Sequence, residues 1–207
     1  MGIVIHHLEN SRSFRVVWLL NELEMPYELR TYPRLDNRAP PDFKRLNALG
    51  KAPVLEDGGK QVLESGNIVA YLLEAAGRPS TQEERMWSYY AEGTLLLHAL
   101  AITYARWSLR DPAQAEALQS CEAFMSANVQ NDLNYVESQL PDGDGELFLV
   151  GTRLSAADIM MAFSVEFTLK KKLGTQGKRW PKLERWLAQL ERRPAYIKAR
   201  KEAPHEL

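Results

Sequence analysis

The sequence predicts an α/β domain with the element order β-α-β-β-β-α and a mixed sheet, followed by an all-α helical-bundle domain. Three observations support this prediction: a βαβ pattern at the N-terminus, an Asp-Gly-Gly hairpin after it, and helical periodicity without strands from Thr81 onward. We therefore place the first domain at residues 1–78, a linker at 79–85 and the helical domain at 86–207.

The first domain is predicted from short strands and two amphipathic helices. Ile3–His6 is a β-branched strand, and the SFRVVWLLNELEM segment after it repeats apolar residues at helical spacing. Tyr27–Tyr32 alternates as a second strand, which completes the βαβ unit. After PPDFKRLN, which is too short for more than an irregular helical turn, PVLE and QVLE flank DGGK and predict a hairpin. The last helix extends from Ser65, a candidate N-cap, to Gly77, a candidate C′ residue.

The second domain shows only helical patterns. Long apolar-periodic stretches cover residues 86–109 and 112–140, and the RDP and PDGDGE segments interrupt them. A further helix starts at SAADIMM, where Ser155 and Asp158 form a variant of the capping box. Aspartate is shorter than the usual glutamate, so it reaches back less easily. The last helices begin near two prolines, Pro181 and Pro194.

Composition excludes several classes of protein. The chain has 207 residues with 26 Lys and Arg against 27 Asp and Glu, so its charge gives no reason to expect binding to nucleic acid. No apolar run approaches a membrane span and the N-terminus does not resemble a signal peptide, so we expect a cytoplasmic protein. The single Cys121 excludes an internal disulfide and a cysteine-based zinc site. The histidines have no metal-binding spacing, and we expect no metal.

The most specific segment lies within residues 47–72 and contains NALGKAPVLED and LESGNIVAYL. With the first helix pattern SRS-R-WLL and the order of elements, it makes the sequence resemble cytosolic glutathione transferases, closest to serine-type bacterial and fungal members. AEGTL and LSAADI in the helical domain also fit. The resemblance covers nearly the whole chain. It implies a thioredoxin-like first domain, glutathione as cosubstrate, a homodimer, and a role in detoxification.

Glutathione has a zwitterionic γ-glutamyl head, a central cysteine and a terminal carboxylate, and the segment offers a partner for each. Glu64 can accept from the ammonium group, while the Ser65 hydroxyl and the N–H groups of the new helix suit the head carboxylate. The resemblance implies a cis peptide bond before Pro53, which presents the Ala52 backbone to the ligand as to an added strand. The alternatives are that Ser65 only caps its helix and that Pro53 is a trans residue starting a strand.

The resemblance assigns the glycine carboxylate to Arg38 and Lys51. They hold the positions where serine-type members place basic or histidine side chains, and either can donate to a carboxylate. The alternative of an ordinary solvated surface charge applies to Arg38, which lies in a predicted loop, whereas Lys51 lies inside the motif.

Catalysis requires a thiolate, and a free cysteine thiol has a pKa of about 8.5. Lowering it by about two units requires roughly 2.7 kcal/mol of preferential stabilisation. The turn LENSRSFR supplies donors at the start of the first helix, and counting back four residues from Arg15, as in serine-type members, selects Ser11 as the catalytic donor. Asn10, Arg12 and Ser13 lie in the same turn and also carry donors. Ser13 can instead be the N-cap, Arg12 can add a positive field, and Ser11 can be a simple turn residue.

This turn contains neither tyrosine nor cysteine, which disfavours tyrosine-type and cysteine-type transferases and dithiol oxidoreductases. A serine donor is compatible with thiolate attack on a hydrophobic electrophile or on an organic peroxide. Tyr104 and Trp107, three residues apart, are candidates to line the hydrophobic substrate pocket, or else they pack in the helical core. The alternative function is a non-catalytic protein of the same fold that binds glutathione or hydrophobic ligands.

Overall fold

The computed structural model describes residues 2–205, which divide into two compact units. The first consists of residues 2–81 together with 190–205, and the second consists of residues 82–189. The helices, numbered in chain order, are α1 (Ser13–Glu22), α2 (Pro41–Leu46), α3 (Ser65–Ala75), α4 (Gln82–Tyr90), α5 (Leu96–Ser108), α6 (Ala115–Gln139), α7 (Ala156–Lys170), α8 (Pro181–Glu191) and α9 (Pro194–Glu202).

The first unit contains a four-stranded mixed sheet of β1 (Ile3–Leu8), β2 (Tyr27–Tyr32), β3 (Val54–Asp57) and β4 (Lys60–Leu63), in the order β2-β1-β3-β4. Strand β1 runs parallel to β2, while β3 is antiparallel to both β1 and β4. The parallel pair is the βαβ unit, and the hairpin turns at Gly58 and Gly59, whose positive φ angles of 56° and 87° suit glycine. The predicted mixed sheet is confirmed.

The C-terminal helix α9 belongs to the first unit, whereas the sequence placed residues 86–207 in one helical domain. Tyr196 of α9 contacts two aromatic rings of α1, with centroid distances of 5.1 Å to Phe14 and 5.0 Å to Trp18. The Arg193 guanidinium, just before α9, donates to the Glu22 carboxylate at 2.7 and 2.8 Å. Apolar periodicity predicts a helix but does not identify the surface that the helix covers.

The second unit is helical throughout its regular elements. Its first helix begins at Gln82, within the predicted linker 79–85, and the predicted helix over 86–109 is interrupted by a π-helical segment at Ala91–Leu95. Helix α7 has the predicted capping box, because the Asp158 carboxylate accepts from the Ser155 backbone N–H at 3.0 Å. The shorter aspartate therefore reaches the N-cap, and it is completely buried.

Candidate active site

The turn between β1 and α1 holds a buried chain of three polar side chains. Ser11 Oγ lies 2.6 Å from Ser13 Oγ, and Ser13 Oγ lies 2.7 Å from His7 Nδ1. The Ser13 backbone N–H also donates to Ser11 Oγ at 3.3 Å. Only 7% of the Ser11 surface is exposed, and Ser13 and His7 are fully buried. The predicted donor is thus connected to a histidine, His7, to which no role in the site was assigned from the sequence.

Asn10 and Arg12 are the other predicted donors of this turn, and they flank Ser11. Helix α1 begins at Ser13, with Arg12 in the N-cap position and no side-chain cap bond, so the Ser13 hydroxyl does not cap the helix as the alternative held. Asn10 is exposed and has a positive φ of 51°, a conformation that asparagine tolerates. The Arg34 guanidinium holds the turn by donating to the backbone carbonyl oxygens of Glu9 at 2.7 Å and Asn10 at 3.2 Å.

His7 is neutral at physiological pH. Burial, with smaller contributions from His205 and Arg34, lowers the pKa of its imidazole to about 4. The partner of Nδ1 is a serine hydroxyl, and within residues 2–205 no carboxylate raises the pKa of His7. A neutral imidazole has one N–H donor and one acceptor nitrogen, so its tautomer decides which way the hydroxyl chain is oriented.

We expect acid to destabilise the first unit through His7. Because its pKa is about 4 in the folded protein and 6.5 ordinarily, the unfolded chain binds more protons between these values and stability falls as pH falls. The separation of the two pKa values corresponds to about 3 kcal/mol lost by pH 4. Urea unfolding at neutral pH and at pH 4 measures this loss. A His7→Asn variant should lose less stability over the same range, and an equal loss in both proteins would contradict the assignment.

The segment after β4 brings together Glu64, Ser65 and a buried arginine. Arg15, in the first turn of α1, is fully buried and its Nη1 donates to Ser65 Oγ at 3.1 Å. Helix α3 begins at Ser65, and Glu64 occupies the cap position with a positive φ of 69° and no side-chain cap bond. Ser65 is therefore the first helical residue and not the N-cap, and its hydroxyl accepts from Arg15. The Glu64 carboxylate is exposed and makes no capping hydrogen bond to the N-terminal N–H groups of α3, so it does not compete with a ligand for these groups.

In the sequence, Arg15 served only as the position from which Ser11 was located, and its contact with Ser65 was not predicted. The available signal was a guanidinium in the otherwise apolar helical run SFRVVWLL, on a helix that the structure buries along most of its length. A charged group in such a position almost always has polar partners. The hydrogen bond places the start of α1, with its serine pair, beside the start of α3. The two parts of the predicted glutathione site therefore lie at the same edge of the first unit.

The other predicted residues of the first unit are Arg38, Lys51, Ala52 and Pro53. The peptide bond between Ala52 and Pro53 is cis, as the resemblance implied. Within residues 2–205, no backbone hydrogen bond engages Ala52. Lys51 is exposed, and its backbone carbonyl accepts from Asn47 Nδ2 at 2.8 Å. Arg38 is also exposed and closes a two-residue turn with Leu35, so both cationic side chains face solvent.

The candidate substrate residues lie in the second unit, on α5. Tyr104 and Trp107 form an edge-to-face pair with ring centroids 5.7 Å apart. They are 48% and 46% exposed, so the alternative of helix-core packing does not apply to them.

Among the described residues, no group of three or more His, Cys, Asp or Glu side chains is arranged to hold a metal ion. Within the same residues, no helix combines the length and apolarity needed to cross a membrane.

Two family models match the chain. Glutathione S-transferase, N-terminal domain, matches residues 2–74, and Glutathione S-transferase, C-terminal domain, matches residues 98–200. The chain belongs to the glutathione transferase family. Glutathione S-transferase 3 of Schizosaccharomyces pombe is 30% identical to this transferase over 213 residues, covering 93% of this chain and 84% of the relative.

Solved structures support the same family. A glutathione S-transferase from Actinobacillus pleuropneumoniae has a TM-score of 0.77 and 30% identity, and the match covers 97% of this transferase and 92% of that chain. Ure2p, solved in complex with glutathione, shares the fold with a TM-score of 0.76 at 21% identity, covering 96% of this chain and 97% of its own. The predicted order of an α/β domain before a helical domain is confirmed, and the protein is an enzyme of the transferase class.

Proposed function

We propose that this transferase binds glutathione in its first unit and uses the Ser11 hydroxyl to hold the glutathione thiol as a thiolate. The observation that carries the proposal is the hydrogen bond of 3.1 Å between Arg15 and Ser65, because it brings the N-termini of α1 and α3 together. The start of α1 supplies a buried hydroxyl and a positive field for the thiolate. The start of α3 supplies a carboxylate and free N–H groups for a zwitterionic head. This combination suits a glutathione thiolate.

The ligand would contact four segments of the first unit. Glu64 accepts from the γ-glutamyl ammonium, and Ser65 with the first N–H groups of α3 donates to the adjacent carboxylate. The Ala52 backbone pairs with the cysteine residue of glutathione in the manner of an added strand, which its lack of internal hydrogen bonds supports. The exposed Lys51 and Arg38 donate to the glycine carboxylate.

The reaction would use the thiolate as a nucleophile toward a hydrophobic electrophile. The thiol proton leaves to solvent, the Ser11 hydroxyl keeps its own proton, and the sulfur electron pair forms a bond to electrophilic carbon as the leaving group departs. The exposed pair of Tyr104 and Trp107 supports an apolar cosubstrate, because aromatic faces bind such compounds well. We also extend to this chain the homodimer that the family resemblance implies.

Glutathione binding by calorimetric titration tests this proposal. We expect wild type to bind and Glu64→Gln to weaken binding by roughly 10- to 100-fold, because hydrogen bonds to charged groups contribute about 1.5–3 kcal/mol. The matched control is Glu74→Gln, an exposed glutamate in the last turn of the same helix, which should bind like wild type.

Two results would contradict the proposal: a wild-type protein that does not bind glutathione, or a Glu64→Gln variant that binds it as tightly as wild type. Turnover is then measured with an aromatic halide, an epoxide and an organic hydroperoxide. Binding of glutathione without turnover of any of them would favour the non-catalytic alternative. Activity with the hydroperoxide would add peroxide reduction to the function.

A further inference from the structure

The hydroxyl chain of the active-site turn has a direction that a single proton decides. Ser11 Oγ already accepts from the Ser13 backbone N–H at 3.3 Å. Each serine hydroxyl has one proton, so Ser11 can donate to a bound thiolate only if it does not donate to Ser13. At an Oγ–Oγ distance of 2.6 Å one of the two serines must be the donor. Donation by Ser13 leaves the Ser11 proton available to a ligand.

His7 controls which serine donates. If His7 carries its proton on Nδ1, it donates to Ser13 Oγ across 2.7 Å, and Ser13 can then donate to Ser11. If the proton is on Nε2, Nδ1 accepts a hydrogen bond from the Ser13 hydroxyl. Ser11 must then donate to Ser13 instead of to the ligand. Among residues 2–205, the other acceptor for the Ser13 hydroxyl is the Leu8 carbonyl oxygen at 3.4 Å, a distance at which an O–H···O bond is weak.

Burial favours the first arrangement. His7 Nε2 has no hydrogen-bond partner among the described residues, and the ring is fully buried. A buried N–H without an acceptor is rarer in proteins than a buried acceptor without a donor. The unpartnered Nε2 is therefore the acceptor nitrogen, and the proton lies on Nδ1, next to Ser13.

We propose that His7 is a positioning residue that, as the Nδ1–H tautomer, donates to Ser13 and so orients the Ser11 hydroxyl toward the glutathione thiolate. The proposal rests on the proposed function, since it needs a thiolate facing Ser11. Donation along the chain from His7 to Ser13 to Ser11 polarises each hydroxyl in turn, which strengthens the last hydrogen bond. His7 touches neither the ligand nor the reacting sulfur.

The surroundings of His7 keep it a neutral donor. Ser13 faces it from α1, and the titratable and charged groups that act on it are His205 from the C-terminal segment and Arg34 from the segment after β2. Both oppose a second proton on the ring. The neighbouring His6 points to the other side of β1, where its Nδ1 lies 3.0 Å from the Tyr32 hydroxyl. His6 is equally deep in the unit and therefore provides a matched control.

The decisive measurement is the pKa of the thiol of bound glutathione, followed by its thiolate ultraviolet absorption. We expect His7→Leu to raise this pKa by about half a unit to one unit, with a threefold to tenfold lower rate below that pKa. The KM for glutathione should stay within about twofold, because no contact to the ligand is lost. His7→Asn keeps an N–H donor at this position and should restore the wild-type pKa. The control His6→Leu should leave the thiol pKa unchanged.

Ser13→Ala interrupts the same chain of hydrogen bonds at a second point. The double variant with His7→Leu and Ser13→Ala should raise the thiol pKa no further than either single variant. An unchanged thiol pKa in Ser13→Ala and in folded His7→Leu would overturn the inference, as would an equal rise in His7→Asn and His7→Leu. Nitrogen NMR of the ligand-free protein gives an independent test, since a proton on Nε2 of His7 would also overturn it. Failure of the proposed function differs, because wild type itself would then leave the thiol pKa at its free value.

Discussion

Asp158→Ala is expected to lower the free energy of unfolding by about 3–5 kcal/mol, the largest stability effect that we predict for this transferase. The Asp158 carboxylate is fully buried and accepts four hydrogen bonds at 2.9–3.1 Å. Its donors are the backbone N–H groups of Leu149 and Ser155, the Ser155 hydroxyl and the Trp186 indole N–H. Alanine leaves these donors without an acceptor in the core of the second unit.

Burial raises the pKa of Asp158, and the four donors oppose that rise by stabilising the ionised form. Asp158→Asn separates shape from hydrogen bonding, because its amide keeps one acceptor oxygen and presents an N–H group to another donor. We therefore expect Asn to cost about half as much as Ala.

Urea unfolding measures these losses, and Asp142→Ala is the matched control. Asp142 is 94% exposed and pairs with Lys182 at the surface. A surface pair contributes little, so this variant should stay within about 0.5 kcal/mol of wild type. A loss for Asp158→Ala as small as that for Asp142→Ala would show that the capping box does not hold the second unit together.

Ser11→Ala is expected to reduce kcat/KM at neutral pH by about 10- to 100-fold, with a rise of about one to two units in the pKa of the bound thiol. The variant removes the hydroxyl that we propose as the donor to the thiolate, while the contacts proposed for the ends of glutathione remain. The loss should therefore shrink as pH rises above the new thiol pKa, because the thiolate then forms without help. Glutathione affinity measured well below that pKa should change little.

Four variants complete this experiment. Ser11→Thr keeps a hydroxyl and should retain most of the activity, whereas Ser138→Ala removes an exposed serine hydroxyl of α6 and should have no effect. Asn10→Ala and Arg12→Gln test the other donors of the same turn. If either of these raised the thiol pKa while Ser11→Ala did not, the donor would be that residue and not Ser11.

Local chemistry made much of the fold and part of the site predictable. Alternation and β-branching indicated the strands, and the DGGK turn indicated the hairpin because two successive glycines accept positive φ angles. The S-x-x-D spacing predicted the cap of α7. The segment containing Pro53, Glu64 and Ser65 pointed to glutathione because a short stretch of chain contains the groups that a zwitterionic peptide requires.

Local patterns in the sequence specified which segments are helix or strand, the βαβ-hairpin order and the composition of the segment at residues 47–72. These features depend on residues close together in the chain. No local pattern predicted that α9 packs on α1, that Arg15 reaches Ser65 fifty positions away, or that His7 joins the serine pair; these contacts arise from packing in the folded first unit. The physical reason is that periodicity reports how much of a side chain is buried, whereas the partner of a buried polar group is fixed by the packing of segments distant in sequence.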